Sequence, residues 1–274
     1  MTATVVERQW QAPGSAAEPE DLASSLAGPN GLELVVEMAH DLRSPLTSIL
    51  FLAESLRSGQ SSPISDAQRR QLGLIYSAAL CLCTAANDVL ELARGGDRLA
   101  DREPGPFSIV EVFKSVRDMV QPIAEEKGLP LHLKPARPDW RLGHARALGR
   151  VLLNLATNAL KFTDQGFVEL TARALGATGV EFSIRDTGPG IDAAALRALY
   201  SPFRKQQSQP RHHFSSSGLG LAICRKLVTA MGSELRVETR AGWGTRFFFQ
   251  LDLPPCTAPA GAGTVSKDRL EIRS

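Results

Sequence analysis

His40 and Asp41 are neighbours in Ala39-His40-Asp41-Leu42-Arg43-Ser44-Pro45-Leu46. A neutral imidazole with a carboxylate at its side is a competent nucleophile, and imidazole is largely neutral near pH 7. The apolar residues Val35, Ala39, Leu42, Leu46, Ile49, Ala53 and Leu56 recur alternately four and three residues apart. That seam predicts a helix packed lengthwise against other helices, with His40 just off it, where the ring reaches solvent. Pro45 removes the amide that would bond the carbonyl of Asp41, so the helix is expected to bend or loosen there. A histidine on a helix rim is ordinarily a surface residue, so this stretch alone defines no active site.

A second group of residues lies more than a hundred positions downstream. Asn154 and Asn158 are four apart on one helix, hence on one face, and their amide oxygens suit Mg²⁺. Lys161, one turn further on, can approach a phosphate. Asp186-Thr187-Gly188-Pro189-Gly190-Ile191 closes a strand with two glycines that let a ligand come near the backbone, while the carboxylate can accept a hydrogen bond from an exocyclic amine. Gly218, Leu219 and Gly220 open a helix whose free amides form a phosphate-binding end. Between them, Tyr200-Ser201-Pro202-Phe203-Arg204-Lys205 and a polar run containing His212 and His213 have the composition of a mobile lid. Gly242-Trp243-Gly244-Thr245 reads as a hairpin turn or as a further backbone approach to the same pocket.

The 274-residue chain is 43% hydrophobic and 22% charged with a formal net charge of +2, which argues for a globular protein and gives no case for nucleic-acid or membrane binding. No apolar run reaches the roughly eighteen residues of a membrane span, and no signal-peptide core is present. Cys81, Cys83, Cys224 and Cys256 show no metal or disulfide spacing, so a cytoplasmic protein is expected.

The elements that must position these groups fall into two sets. Residues 1–30 read as a flexible arm. Helices are expected from Gly31 to Leu56 and from Ser65 to Ala93, the second started by a Ser65/Gln68 capping box and carrying Leu72, Ile75, Ala79, Leu82, Ala86, Val89 and Ala93 at three-four spacing. Such a hairpin buries too little alone. Pairing with a second copy into a four-helix bundle is expected, the alternative being a hairpin packed on the following domain. Residues 96–106 read as a linker. Beyond it strands and helices alternate: strands at 107–109, 129–134, 140–142, 167–174, 180–185, 234–239 and 245–253, with helices at 110–127, 144–162, 193–199 and 219–231. Residues 254–274 are rich in Pro, Ala and Gly and read as a disordered tail.

In this order, the motifs closely resemble those of sensor histidine kinases of two-component signalling, over about residues 31–253. Ala39–Leu46 resembles the phosphoacceptor H box, Asn154–Thr163 the N box, Asp186–Ile191 the first glycine box, Pro202-Phe203 the F box and Gly218–Leu221 the second glycine box. The resemblance implies a dimeric helical phosphotransfer domain, residues 31–95, followed by an α/β sandwich ATP-binding domain of Bergerat type, residues 107–253. It implies that His40 is phosphorylated on Nε2 and that Asp41 is the activating base. Asn154 and Asn158 would bind Mg²⁺ and phosphates, Lys161 would contact phosphate, and Asp186 would recognise the adenine amine. Gly188, Gly190, Phe203, Gly218, Leu219, Gly220 and Thr245 would line the ATP site, and Lys205 falls where many members carry a lid arginine.

Three positions depart from the family pattern. Ser44 stands where phosphatase-competent members usually carry Thr or Asn, Ser216 replaces the usual first glycine of the second glycine box, and His144 sits where Asp is frequent. None removes a group the kinase chemistry requires. The expected reaction is ATP-dependent autophosphorylation of His40 in a homodimer, followed by transfer to an aspartate of a separate response regulator. The signal would come from a separate sensory partner or from further parts of a longer protein. The rival readings are a degenerate ATP-binding scaffold that regulates another kinase, and a serine/threonine kinase or gyrase-type ATPase. Intact His40, Asn158 and Asp186 oppose the first, and the His-bearing hairpin opposes the second.

Overall fold

The computed structural model describes residues 29–57, 64–93, 103–191 and 219–259. Two long helices open it, α1 (Pro29–Arg57) and α2 (Asp66–Ala93), packed side by side as a hairpin. Ser65 and Gln68 make the expected reciprocal cap: the Ser65 amide donates to Gln68 Oε1 at 2.9 Å and the Gln68 amide to Ser65 Oγ at 3.3 Å. α1 continues as one helix through Pro45. One missing hydrogen bond is outweighed by packing on either side of it, where Ala39 meets Ala86 and Leu90, and Ala53 meets Tyr76 and Leu80.

The seam read from the sequence divides in two. Ala39, Leu46 and Ala53 are buried in the hairpin, whereas Leu42, Ile49 and Leu56, each seven residues apart, stay about half-exposed. The second helix repeats the division, with Ala79 and Ala86 buried and Ile75 and Leu82 exposed. A heptad helix has two apolar edges, and a lone hairpin satisfies only one of them.

The α/β part comprises β1 (Gly105–Ser108), α3 (Ile109–Lys127), β2 (Leu131–Lys134), β3 (Trp140–Gly143), α4 (Ala145–Phe162), β4 (Val168–Leu175), β5 (Gly179–Asp186), α5 (Leu219–Ala230), β6 (Arg236–Arg240) and β7 (Gly244–Asp252). Five strands form a sheet in the order β2-β4-β5-β7-β6; β2 and β4 are parallel and the other pairs antiparallel. One sheet face carries Val168, Leu170, Val180, Phe182, Ile184, Phe247, Phe249 and Leu251, and the three helices bury Phe113, Val116, Leu152, Leu155, Ile223 and Val228 in the same core. Phe182 stacks on Phe249 with ring centroids 5.7 Å apart and meets the edge of Phe113 at 6.4 Å. The helix expected at 193–199 lies outside the described residues.

Three boundaries differ from the sequence reading. β1 and β3 pair as a two-stranded ribbon, so residues 105 and 106 belong to the folded unit rather than to a linker. Ile109 begins α3 instead of ending a strand, because Ser108 caps the helix and Asp139 Oδ1 takes the Val110 amide at 2.7 Å. At the other end the chain does not become a free tail at 254. Leu142 donates to the Pro254 carbonyl at 2.9 Å and Cys256 to that of Trp140 at 3.1 Å, extending the ribbon by one bridge. No helix among the described residues is long and apolar enough to cross a membrane.

Candidate functional site

Asp186 ends β5 with its side chain 8% exposed. Its Oδ1 accepts the amides of Gly188 at 2.9 Å and Thr245 at 3.2 Å. Burial pushes the carboxyl above the usual aspartate range, and the two amides pull the other way. The carboxylate is thus fixed in place by β7 and by its own loop, with acceptor capacity left for a ligand amine.

The glycines of this region serve the chain's own packing first. A Cβ on Gly188 would stand 2.8 Å from the Phe162 carbonyl at the end of α4, and one on Gly190 2.3 Å from the Arg240 carbonyl. Gly244 (φ +99°) presses on the backbone of Asp186, where a Cβ would come within 2.0 Å of its carbonyl oxygen. A side chain at any of these three positions would run into the protein's own backbone. Thr239 completes the arrangement: its Oγ1 accepts the Ile191 amide at 2.8 Å and lies 3.1 Å from Thr245 Oγ1. The Gly242 amide donates to the Pro189 carbonyl at 2.8 Å, so the β6–β7 turn and the loop after β5 form one block.

The helix α4 reaches this block at its C-terminus. Asn154 is 2% exposed and its Nδ2 has no hydrogen-bond partner among the described residues, while Asn158 and Lys161 are partly exposed further along. A buried N–H donor left unpaired is costly, which fits a ligand oxygen completing it. Burial lowers the Lys161 ammonium below lysine's usual range, and the Phe162 ring lies 5.2 Å from it. The end of α4 is held by a residue with no sequence motif: Lys127 Nζ donates to the carbonyls of Leu160, Lys161 and Thr163 at 2.8, 3.1 and 2.9 Å. An ammonium on the last carbonyls of a helix satisfies orphan acceptors and complements its dipole.

Leu219 and Gly220 begin α5, which packs along α4. Phe203, Lys205 and Gly218 lie outside the described residues, as do His212 and His213. The structure therefore brings Asp186, Gly188 and Thr245 together beside the C-terminus of α4, the helix that carries Asn154, Asn158 and Lys161.

His40 and Asp41 are placed elsewhere, on α1. His40 Nδ1 lies 3.5 Å from Asp41 Oδ1, and the side chains are 67% and 76% exposed. A carboxylate at Nδ1 favours the tautomer protonated there, leaving the lone pair on Nε2. Ser44 is exposed one turn along, and Ser48 Oγ donates to its carbonyl at 3.2 Å.

A family model described as the His Kinase A (phospho-acceptor) domain matches residues 32–98. A second, described as histidine kinase-, DNA gyrase B- and HSP90-like ATPase, matches residues 143–255. The sensor histidine kinase AruS of Pseudomonas aeruginosa is 33% identical over 222 residues, 79% of this chain. This chain belongs to the sensor histidine kinases. It spans 22% of AruS and 29% of a second histidine kinase relative, the autoinducer 2 sensor kinase/phosphatase LuxQ of Vibrio cholerae, which is 28% identical over 91% of this chain. Among solved histidine kinase structures, full-length ShkA in complex with AMPPNP aligns with a TM-score of 0.57 at 32% identity, over 83% of this chain and 47% of that one.

Proposed function

We propose that this chain is an ATP-dependent protein histidine kinase that phosphorylates His40 and passes the phosphoryl group to an aspartate of a separate response regulator. The observation that carries the reading is the placement of Asp41 against Nδ1 of an exposed imidazole, which leaves Nε2 as the free nucleophile. Nε2 attacks the γ-phosphorus, the bond to the β,γ-bridging oxygen breaks, and ADP leaves with that electron pair. The ring is then substituted on one nitrogen and protonated on the other, and Asp41 stabilises or accepts the Nδ1 proton.

Asp186 is the adenine-recognition group in this reading, because its carboxylate is buried, oriented by two amides and open to one further donor. Asn154 and Asn158 would hold, through their amide oxygens, Mg²⁺, which when bound neutralises phosphate charge; the unpaired Asn154 Nδ2, an N–H donor, suits a phosphate oxygen beside it. Phe203, Lys205, Gly218, Leu219 and Gly220 are assigned to the lid side of the same pocket by motif order. Residues 31–95 would be the phosphotransfer unit and 105–256 the nucleotide unit, a division that adjusts the sequence boundaries to the β1–β3 ribbon. The exposed stripe of Leu42, Ile49, Leu56, Ile75 and Leu82 supports a homodimer, and the ATP requirement supports work in the cytoplasm. A sensory input reaches the chain from a separate protein or from a longer polypeptide of which it is part.

Incubation with γ-labelled ATP and Mg²⁺ tests this. Wild type is expected to take up acid-labile, alkali-stable label that His40→Gln lacks. Equal labelling of the two proteins moves the acceptor elsewhere.

A further inference from the structure

Lys127 is the last residue of α3, and Gly128 follows it in the left-handed conformation with φ +66°. The carbonyls at the end of α3 find partners in the next two amides: Gly128 donates to Glu125 at 3.1 Å and Leu129 to Ala124 at 2.8 Å. The Lys127 ammonium is therefore not needed by its own helix. It crosses to the C-terminus of α4, where its three donors meet the carbonyls of Leu160, Thr163 and Lys161 at 2.8, 2.9 and 3.1 Å. Among the described residues its one ion pair is with Asp164 at 3.4 Å, and Asp164 is 77% exposed. A pair so well solvated contributes little, so the carbonyls hold the ammonium and the ammonium holds them.

The carbonyl that Lys127 leaves out is that of Phe162, which lies among the three in the chain. It faces Gly188, where a Cβ would stand 2.8 Å from it, and the Gly188 amide is one of the two that fix Asp186. A few residues on, the same stretch of chain reaches the other side of the loop: the Phe167 amide donates to Thr187 Oγ1, and the Gln165 carbonyl lies within reach of that hydroxyl. Residues 160–167 thus support the Asp186 loop on both sides, and an ammonium from another helix pins their first turn. Without it, three carbonyls at the negative end of α4 lose their shared donor, and the turn has to shift to find water.

We propose that Lys127 is a positioning residue for nucleotide binding: by gathering three carbonyls at the end of α4 it sets where the Phe162 carbonyl meets Gly188, and so where Asp186 presents its carboxylate to the adenine amine. The proposal rests on the ATP-binding reading above, in which Lys127 itself touches neither the nucleotide nor His40. Its loss displaces groups that bind ATP before transfer begins, so the cost falls on KM and spares the rate at saturating ATP. Misplacing a binding group by about 1 Å can cost up to about a hundredfold, and a shift of a fraction of that is expected to raise KM about tenfold.

Chemical rescue of the full chain tests this. Lys127→Ala removes the ammonium and leaves its three carbonyls around a space that a small amine can enter. Initial His40 labelling is measured against ATP concentration in methylammonium chloride and in tetramethylammonium chloride of equal ionic strength. In tetramethylammonium, which has no N–H donor, KM should stand about tenfold above wild type with the saturating rate within about twofold. Methylammonium, with three donors, should lower that KM about threefold or more. Val120→Ala, which empties core space seven residues earlier on α3, should lower the melting temperature and leave KM near wild type. If Lys127→Ala does not fold, Lys127→Met keeps the stem, removes only the donors and gives the same KM reading. The proposal is overturned if KM stays at the wild-type value, if the saturating rate falls as far as KM rises, if methylammonium restores no more than tetramethylammonium, or if Val120→Ala raises KM equally. Failure of the kinase reading would look different: the wild-type protein itself would neither bind ATP nor label His40.

Discussion

Gly166 and Thr187 fill adjoining space so closely that a Cβ on Gly166 would stand 2.0 Å from Thr187 Oγ1. That hydroxyl accepts the Phe167 amide at 2.9 Å and is within 3.3 Å of the carbonyls of Gln165 and Phe167. Thr187 directly follows Asp186, so the clasp fixes the loop after β5 against the entry to β4. Gly166 also has a φ of +105°, which side chains rarely tolerate. Gly166→Ala should cost about 2 to 4 kcal/mol of stability through strain and overlap together. Thr187→Val should weaken ATP binding more than it lowers the melting temperature, and Thr187→Ser should recover most of the loss. Calorimetry and ATP titration on the three variants separate these outcomes, and an unchanged Gly166→Ala protein would show the loop to be plastic.

Spacing along the chain is enough to locate the His-bearing hairpin, the Asn helix and the Asp186 loop, and motif order assigns the nucleotide residues to elements that the fold does bring together. Element ends are less legible where long-range contacts decide them. Ser108 and Glu111 do have the spacing of a capping box, but the hold of Asp139 on Ser108, thirty-one residues away, is not legible, nor is the order of Pro254–Cys256 without β3 beside it. Lys127 and Arg150 belong to no motif, since their partners are backbone carbonyls, which carry no sequence signature, and Asn87 meets Arg43 and Arg150 only across long separations. The glycines are recognisable as close-approach sites, but sequence does not say whether ligand or protein makes the approach. Thr187 has a signal within its motif; Gly166 has none.

Burial raises the Asp186 carboxyl, so the native state holds its proton more tightly than the unfolded chain does. The sign follows: this contribution to stability is full below the unfolded pKa and is lost as pH rises through the higher folded value. At neutral pH the buried carboxylate therefore costs stability. Asp186→Asn keeps an oxygen for the Gly188 and Thr245 amides and removes the charge. The nucleotide-free variant should melt at or above wild type at pH 7, with the gap narrowing as pH falls toward the ordinary aspartate range. ATP binding should weaken about ten- to a hundredfold, the cost of losing a hydrogen bond to a charged group. A variant that both melts lower at pH 7 and binds ATP normally would remove Asp186 from the site.

Phe51 is 72% exposed, eleven residues beyond His40 and so on the same face of α1. A receiver that brings an aspartate to His40 must lie along that face, and a large exposed ring suits an anchor for it. Phe51→Asp should leave autophosphorylation close to wild type while slowing phosphotransfer to the cognate regulator about tenfold or more. Rapid-quench measurement of both steps with purified regulator decides it. Equal slowing of the two steps would mean that the substitution disturbs the helix instead.

The exposed heptad edge calls for a partner of its own kind. Leu42, Ile49 and Leu56 on α1 and Ile75 and Leu82 on α2 present one apolar stripe, while the opposite side of α2 is taken by the nucleotide unit. Two hairpins laid together bury both stripes, and each large aliphatic side chain removed from water contributes about 1.5 to 3 kcal/mol. Ile49→Glu combined with Leu82→Glu places four carboxylates in that dimer interface and should convert it to monomer in sedimentation at micromolar concentration. Neither side chain belongs to the nucleotide unit, so its melting and its ATP affinity should stay near wild type. If the variant sediments as a dimer, the stripe faces something other than a second copy, and the four-helix arrangement has to be abandoned.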